Sequence, residues 1–452
     1  MSSCSVSKQI SKQANAFLLS DTAVSTGHTG ISIYEPATGK YWYNYNADKY
    51  FIPASNTKLF TLYAGMKYLG DSLTGLAYQN FSDTAINVSG TGDPTFMHPD
   101  FKNQPVLDFL KAQHKSIYLS GNYKDSALGY GWAWDDYNDD YMVERNAFPI
   151  YGNTIKVELK GYDYTSQKTS KPKWNLTPYY FVNDIDSIFT ADYKTIAFPG
   201  DADNTKLNTQ KFIVLRNRIS NKLNLRQGTA VFHKTEIPFI TNGNKTAVEI
   251  LKNDFQLNIT EGRLIDESLY PGTPANLRWH KIKSQPTDSL FKPMMHRSDN
   301  FFAEQTLLMV SNEYLGYMSD AIIDTLLNND LKSVPQRPKW VDASGLSRYN
   351  LFTPQSFVYI LTKMKKEFAW ERLKTILATG GTGTLSSYYK KDSGYIYAKT
   401  GTLSNNCALS GYLITKKGKL LIFSVLNNNY ITNAVLVRKA VERFLLAIRE
   451  NY

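Results

Sequence analysis

Three short polar motifs, centred on Ser55, Ser298 and Lys399, constrain this 452-residue chain more tightly than any other feature of its sequence. Each stands where a regular element begins or runs. Pro53 precedes a stretch in which Leu59, Leu62, Tyr63, Met66 and Leu69 recur at three- and four-residue spacing. This predicts a helix from Ser55 to about Leu69, buried along one face. Ser55 and Lys58 then share one helical turn, so the hydroxyl and the amine project from the same side. The first turn also carries unpaired backbone N–H groups, which favour negative charge beside Ser55. Ser298-Asp299-Asn300 opens a second apolar-periodic segment (Phe301, Phe302, Leu308, Met309) and reads as another helix start. Lys399-Thr400-Gly401-Thr402 continues a run, Gly394 to Ala398, that alternates like a strand.

Each motif alone is common; a Ser-x-x-Lys in particular occurs on many surface helices. S-x-x-K, then S-D-N, then K-T-G, in that order and each on the appropriate element, resembles the motif set of serine penicillin-interacting enzymes. Ser55 and Ser298 are 243 positions apart, far more than a minimal β-lactamase-like domain needs. Within or beyond that gap stand Gly90-Thr91-Gly92-Asp93-Pro94-Thr95, Gly131-Trp132-Ala133-Trp134-Asp135-Asp136 and Asn146 to Asn153. Asp342-Ala343-Ser344-Gly345-Leu346-Ser347-Arg348 and Gly381-Thr382-Gly383-Thr384-Leu385 follow. Together these resemble the D-alanyl-D-alanine carboxypeptidase/endopeptidase family, the type-4 or class C low-molecular-mass penicillin-binding proteins. The resemblance covers most of the chain and thins between about 155 and 285.

The two ends of the chain mirror each other. A first helix is expected over Ser7–Leu19, with strands at Gly30–Tyr34 and Tyr41–Tyr45. Near the other end, the Lys399 strand, a hairpin (Ala408–Thr415 and Leu420–Leu426) and a final helix (Asn433 to about Ile448, apolar through Val435, Val437, Ala440, Val441, Phe444 and Leu445) follow. Motifs at 55, 298 and 399 require both ends to fold into one domain. The resemblance implies an α+β fold, a β-lactamase/transpeptidase-like domain whose antiparallel sheet is flanked by helices. Residues 1–74 and 284–452 would form it. Short alternating runs (Ala85–Val88, Lys115–Leu119, Thr154–Leu159, Lys211–Leu215, Thr229–His233) and one helix, Lys245–Leu251, predict a mainly β insertion from about Gly75 to Lys283, with 75–165 and 229–283 as its inserted domain. A nested small β domain over 166–228 is implied by analogy.

The net charge of +11 favours an anionic partner such as the cell envelope. The basic residues are scattered, and no nucleic-acid motif accompanies them, so no nucleic-acid partner is expected. Cys4 and Cys407 cannot make a disulfide framework. Cys407 reads as a small buried residue. Ser2-Ser3-Cys4 resembles the end of a bacterial lipoprotein signal, which would make Cys4 a lipid-anchor site on a periplasmic or envelope protein. No apolar run is long enough for a membrane span.

Six histidines form no triad motif and no metal pair, so neither metal nor cofactor is expected, and the base for Ser55 must come from elsewhere. A lysine serves only if its pKa is lowered, which burial and a second cation such as Lys399 both do. Ser55 is assigned as nucleophile and Lys58 as general base. Ser298 would relay a proton to the leaving amine, with Asn300 orienting Lys58 or the substrate amide. The decisive proton falls to Lys58 or to the Ser298–Lys399 pair. Lys399, Thr400 and Thr402 would hold the substrate's terminal carboxylate on the Gly401 strand edge, and backbone N–H groups of Ser55 and Thr402 would form the oxyanion hole. From the resemblance alone, Asp136 would contact the free amine of a diamino-acid side chain, with Tyr141 as its aromatic neighbour, and Arg348 would contact that side chain's carboxylate. The implied activity is a serine DD-peptidase on peptidoglycan stem peptides, acylated by β-lactam antibiotics. The competing readings are a β-lactamase or esterase on the same fold, or a non-catalytic peptidoglycan-binding envelope protein.

Overall fold

A computed structural model describes residues 3–162, 169–183, 185–188, 213–226, 234–262 and 278–452. The chain divides into two compact units. The first comprises Met1–Thr74, Asn122–Ala133 and Lys283–Tyr452; the second comprises Gly75–Gly121 and Trp134–Ile282. The return of Asn122–Ala133 to the first unit departs from the single uninterrupted insertion expected from the sequence. Much of the nested domain expected over 166–228, and the expected strand Thr229–His233, lie outside the described residues.

The first unit is built on a six-stranded antiparallel sheet. Its order is Ala378–Thr379, Ile396–Leu403, Asn406–Ile414, Leu420–Asn428, His28–Glu35 and Lys40–Tyr45. The turn Lys416-Lys417-Gly418-Lys419 closes the predicted hairpin, and the N-terminal strand pairs with its far side, Ile31 opposite Val425. Ala378–Thr379 pairs only with Ala398 and Tyr397. The Lys399–Leu403 end of the strand Ile396–Leu403 therefore runs past it as a sheet edge.

One face of this sheet packs on the helix Ala434–Asn451 through Val437, Ala440, Val441, Phe444, Leu445 and Ile448, all buried. Val435, expected on the same apolar face, is 42% exposed instead. The other face receives the Ser55 segment, a 3-10 turn over Ala54–Thr57 that runs into the helix Lys58–Tyr68. This helix was expected to bury one face, but every residue from Lys58 to Met66 is buried. The reason is tertiary. Phe60 lies in an aromatic cluster with Trp340, Phe352 and Phe357. Gly65 leaves room for Phe291 and Thr306, which a Cβ would meet at 2.7 and 2.8 Å.

Within the second unit, Ile259–Glu261, Ser116–Gly121, Ala85–Gly90 and Leu76–Asn80 lie side by side in one sheet, the first two pairings parallel and the third antiparallel. Two three-stranded sheets accompany it: Lys234–Pro238, Thr154–Tyr162 and Thr169–Thr177, and Ile185–Ile188, Leu223–Arg226 and Ile213–Arg216. The predicted helix Lys245–Leu251 extends to Phe255, and its buried Val248, Ile250 and Leu251 join the core of this unit.

Candidate active site

The 3-10 turn places Ser55 at the start of a buried helix, and Ser55 is itself only partly covered. Immediately before it, Ala54 takes a left-handed φ of 48°, a conformation disfavoured for a residue with a Cβ. The turn is wedged from two sides. A Cβ on Gly345 would lie 1.9 Å from the Ala54 carbonyl oxygen. A Cβ on Gly401 would lie 2.5 Å from the Pro53 carbonyl oxygen and 3.1 Å from the Ser55 amide nitrogen. Gly401 is therefore what lets the Lys399 strand approach the Ser55 backbone.

Lys58 is fully buried, and its Nζ donates to Ser55 Oγ at 3.0 Å, Asn300 Oδ1 at 2.7 Å and the Ser344 carbonyl at 2.8 Å. Three acceptors match the three protons of an ammonium; the neutral amine would present a lone pair to one of them, and Ser55 is the one with a proton to give. Burial lowers the Lys58 pKa to about 8, against the opposing pull of Asp342, Glu304 and Asp299. The sequence expectation assigned part of that lowering to Lys399, but desolvation is what acts on Lys58. The repulsion shows at Lys399, which burial first, then Lys58 and Arg438, push well below the usual lysine range.

The acids around Lys58 also build its cage. Asp299 caps the helix Asn300–Leu315 by accepting from the Phe302 N–H at 2.9 Å, and so sets Asn300 at the helix start. Glu304, one turn on, accepts from the Ser344 N–H at 2.8 Å. Asp342 accepts from Gly345 and Ser347 N–H, Asn350 Nδ2 and Trp132 Nε1, at 2.6 to 2.9 Å. Four donors offset the desolvation of a buried carboxylate. The loop they hold delivers the Ser344 carbonyl to Lys58 and the Ala343 carbonyl to Thr61 Oγ1, at 2.6 Å. Glu304 and Asp342 were not among the predicted site residues. The first was detectable as the i+4 partner of Asn300 on one helix face; the second lies in the Asp342–Arg348 fingerprint.

Ser298 and Lys399 form the other half of the constellation. Lys399, fully buried, donates to Ser298 Oγ at 2.8 Å and to the Thr400 carbonyl at 2.7 Å. Ser298 has a left-handed φ of 63°. Strand alternation puts Lys399 and Gly401 on the Ser55 face, with Ser410 opposite Lys399 accepting from Asn56 Nδ2 at 2.9 Å. Thr400 and Thr402 project from the other face, where Arg438 donates to Thr402 Oγ1.

The three residues expected to contact the substrate's side chain, Asp136, Tyr141 and Arg348, belong to different units. In the second, Asp136 sits in the 3-10 turn Trp134–Asn138, and Tyr141 donates to Asp139 Oδ2 at 2.6 Å. The Tyr141 hydroxyl pKa is raised by burial, then by Asp139 and Asp136. Arg216 anchors this segment through the Tyr137 and Met142 carbonyls, both at 2.8 Å, with its guanidinium over the Tyr137 ring. In the first unit, Arg348 projects exposed from the loop that Asp342 and Asn350 tie down.

Two serines and two buried lysines interleaved in this way, against the edge of an antiparallel sheet, define an active-site-serine enzyme of the penicillin-recognising type. Residues 11–447 match the model of the D-Ala-D-Ala carboxypeptidase 3 (S13) family. The chain belongs to that family and is a serine-type D-Ala-D-Ala peptidase. It is 25% identical over 422 residues to the D-alanyl-D-alanine carboxypeptidase DacB of Haemophilus influenzae, covering 86% of this chain and 83% of that one. It is 24% identical to the D-alanyl-D-alanine carboxypeptidase of Actinomadura sp., covering 94% and 83%. The crystal structure of penicillin binding protein 4 from Haemophilus influenzae superposes with a TM-score of 0.70 at 21% identity, over 97% of this chain and 98% of that one. That likeness covers both units of the fold.

Proposed function

We propose that Ser55 attacks the carbonyl between the two terminal D-alanines of a peptidoglycan stem peptide, or of a D-amino-acid cross-link, to form an acyl-enzyme. Neutral Lys58 takes the Ser55 proton as the C–O bond forms. Ser298, backed by Lys399, passes a proton to the departing amine as the C–N bond breaks, and water then releases the acyl group from Ser55. Penicillin would enter by the same attack on its lactam carbonyl. The observation that carries this reading is the 3.0 Å bond between Lys58 Nζ and Ser55 Oγ inside a cage that lowers the lysine's pKa to about 8. Asp136 and Tyr141 for an amine, and Arg348 for a carboxylate, remain part of the proposal as readers of the stem peptide's side chain. So does a lipid on Cys4 that would hold the enzyme at the envelope.

The test is labelling with a fluorescent penicillin, together with mass spectrometry of muropeptides before and after incubation. Wild type should be labelled, keep the label, and release D-alanine or cut cross-links. Ser55→Ala should take no label while keeping its circular dichroism spectrum. Label on another serine, or rapid loss of label with no change in muropeptides, would overturn the reading.

A further inference from the structure

A substrate that ends in D-alanine presents a carboxylate, and the sequence expectation gave the cationic part of its recognition to Lys399. The structure commits Lys399 elsewhere. Its Nζ is buried on the Ser55 face, bonded to Ser298 Oγ and to the Thr400 carbonyl. The Thr400 and Thr402 side chains, the other two groups expected at the carboxylate, lie on the opposite face with the C-terminal helix. There Arg438 donates to the exposed Thr402 hydroxyl, and Thr400 lines a recess together with Arg438, Asn427 and Tyr389.

The recess is lined mostly by apolar groups, Leu385, Ala408, Leu409 and Val441 among them, and its polar members are few. Asn427, 2% exposed, accepts from Thr29 through its amide oxygen, while its NH2 group has no partner among the described residues. The Tyr389 hydroxyl and Arg438 Nε are unpaired in the same sense. Glu442, on the same helix as Arg438, accepts from the backbone N–H of Tyr389. Buried donors without acceptors are costly, and an anion entering the recess would supply acceptors.

We propose that Arg438 is the cation that recognises the substrate's terminal carboxylate, together with the Thr400 and Thr402 hydroxyls, leaving Lys399 to the proton chemistry at Ser298. The inference deepens the proposed function and rests on it. Arg438 is near enough to Lys399 to be one of the charges that depress its pKa. A guanidinium keeps its charge at any working pH and presents a planar fork of donors suited to a carboxylate; a buried lysine with a depressed pKa does not.

The experiment compares kcat/KM for an acyl-D-Ala-D-Ala peptide with that for its C-terminal amide, in wild type and in Arg438→Gln, Arg438→Ala and Arg438→Lys. Wild-type labelling by fluorescent penicillin is measured alongside. Arg438→Gln and Arg438→Ala should lose about 10- to 100-fold on the free acid and less than about twofold on the amide, as for a lost charge-assisted contact. Arg438→Lys should recover part of the preference. The ratio of the two substrates cancels any loss of folded enzyme. Variants that keep the wild-type ratio, or a wild type that is labelled yet shows no preference for the free acid, overturn the inference alone. A wild type that penicillin does not label overturns the proposed function and this inference with it.

Discussion

With Lys58 as the proposed base, its lowered pKa predicts that acylation by penicillin rises with pH. Only the neutral amine can accept the Ser55 proton, so activity belongs to the high-pH side of the Lys58 titration. With a pKa of about 8, about one Lys58 in eleven is neutral at pH 7 and about ten in eleven at pH 9. The rate constant for acylation by a fluorescent penicillin should therefore rise about tenfold between those pH values and flatten above them. Because Lys58 and Lys399 repel each other, the bend is a property of the pair. Glu304→Gln supplies the control. It keeps an oxygen to accept from the Ser344 N–H but removes one of the charges that favour protonated Lys58, so the bend should move to lower pH. The assay is timed acylation, quenched in denaturant and read on a gel, across the pH range in both proteins. A rate that is flat from pH 7 to 9, or a bend near the ordinary lysine value of about 10.4, would refute the assignment of Lys58 as base. A bend that Glu304→Gln leaves in place would refute the account of what sets its pKa.

Two further expectations follow from the geometry and from the family resemblance. Gly401→Ala would put a Cβ 2.5 Å from the Pro53 carbonyl and 3.0 Å from the Asn56 amide. Forcing the strand back in this way should slow penicillin acylation by up to about 100-fold and cost about 1–3 kcal/mol of stability. Timed labelling and thermal unfolding check both, and a wild-type acylation rate would show that the close approach is unnecessary. Asp136→Ala and Arg348→Ala should each slow cleavage of peptides with a free diamino-acid end by about 10–100-fold and leave penicillin acylation nearly unchanged. Equal losses on a peptide with that amine acetylated would mean these residues support the fold instead.

The elements that carry the three motifs were legible because each has a local signature: Pro53 before an apolar period, Asp299 in position to cap, alternation ahead of Lys399. What the pattern could not show was the burial of polar side chains. The apolar period accounts for one face only, carried by Leu59, Leu62, Tyr63 and Met66, yet the polar Thr57, Lys58 and Thr61 are fully buried as well. Thr57 is satisfied by Ala54 within its own turn, whereas Lys58 and Thr61 depend on Asn300, Ala343 and Ser344, more than 200 residues away. Periodicity counts apolar residues and misses a polar position whose partner comes from another part of the chain. Sheet order had the same limit, since nothing local to His28–Glu35 states that Leu420–Asn428 will be its neighbour.

The Lys399 strand is the instructive case. Its alternation was legible, and alternation alone requires Lys399 and Thr400 to face opposite sides of the sheet. Assigning both to one carboxylate conflicts with that rule unless the substrate sits at the strand's edge and a second cation serves the far face. Which side chain supplies that cation depends on which helix covers the far face. The sequence does place an arginine early in the last helix, but as one polar residue among several along an amphipathic pattern. Only the packing of Val437 and Val441 against the sheet turns Arg438 towards Thr402. The catalytic half of the site is thus encoded in motifs, whereas the carboxylate half depends on how a helix docks. Substitutions at Val437 or Val441 that rotate this helix should change preference for the free carboxylate before they change acylation chemistry at Ser55.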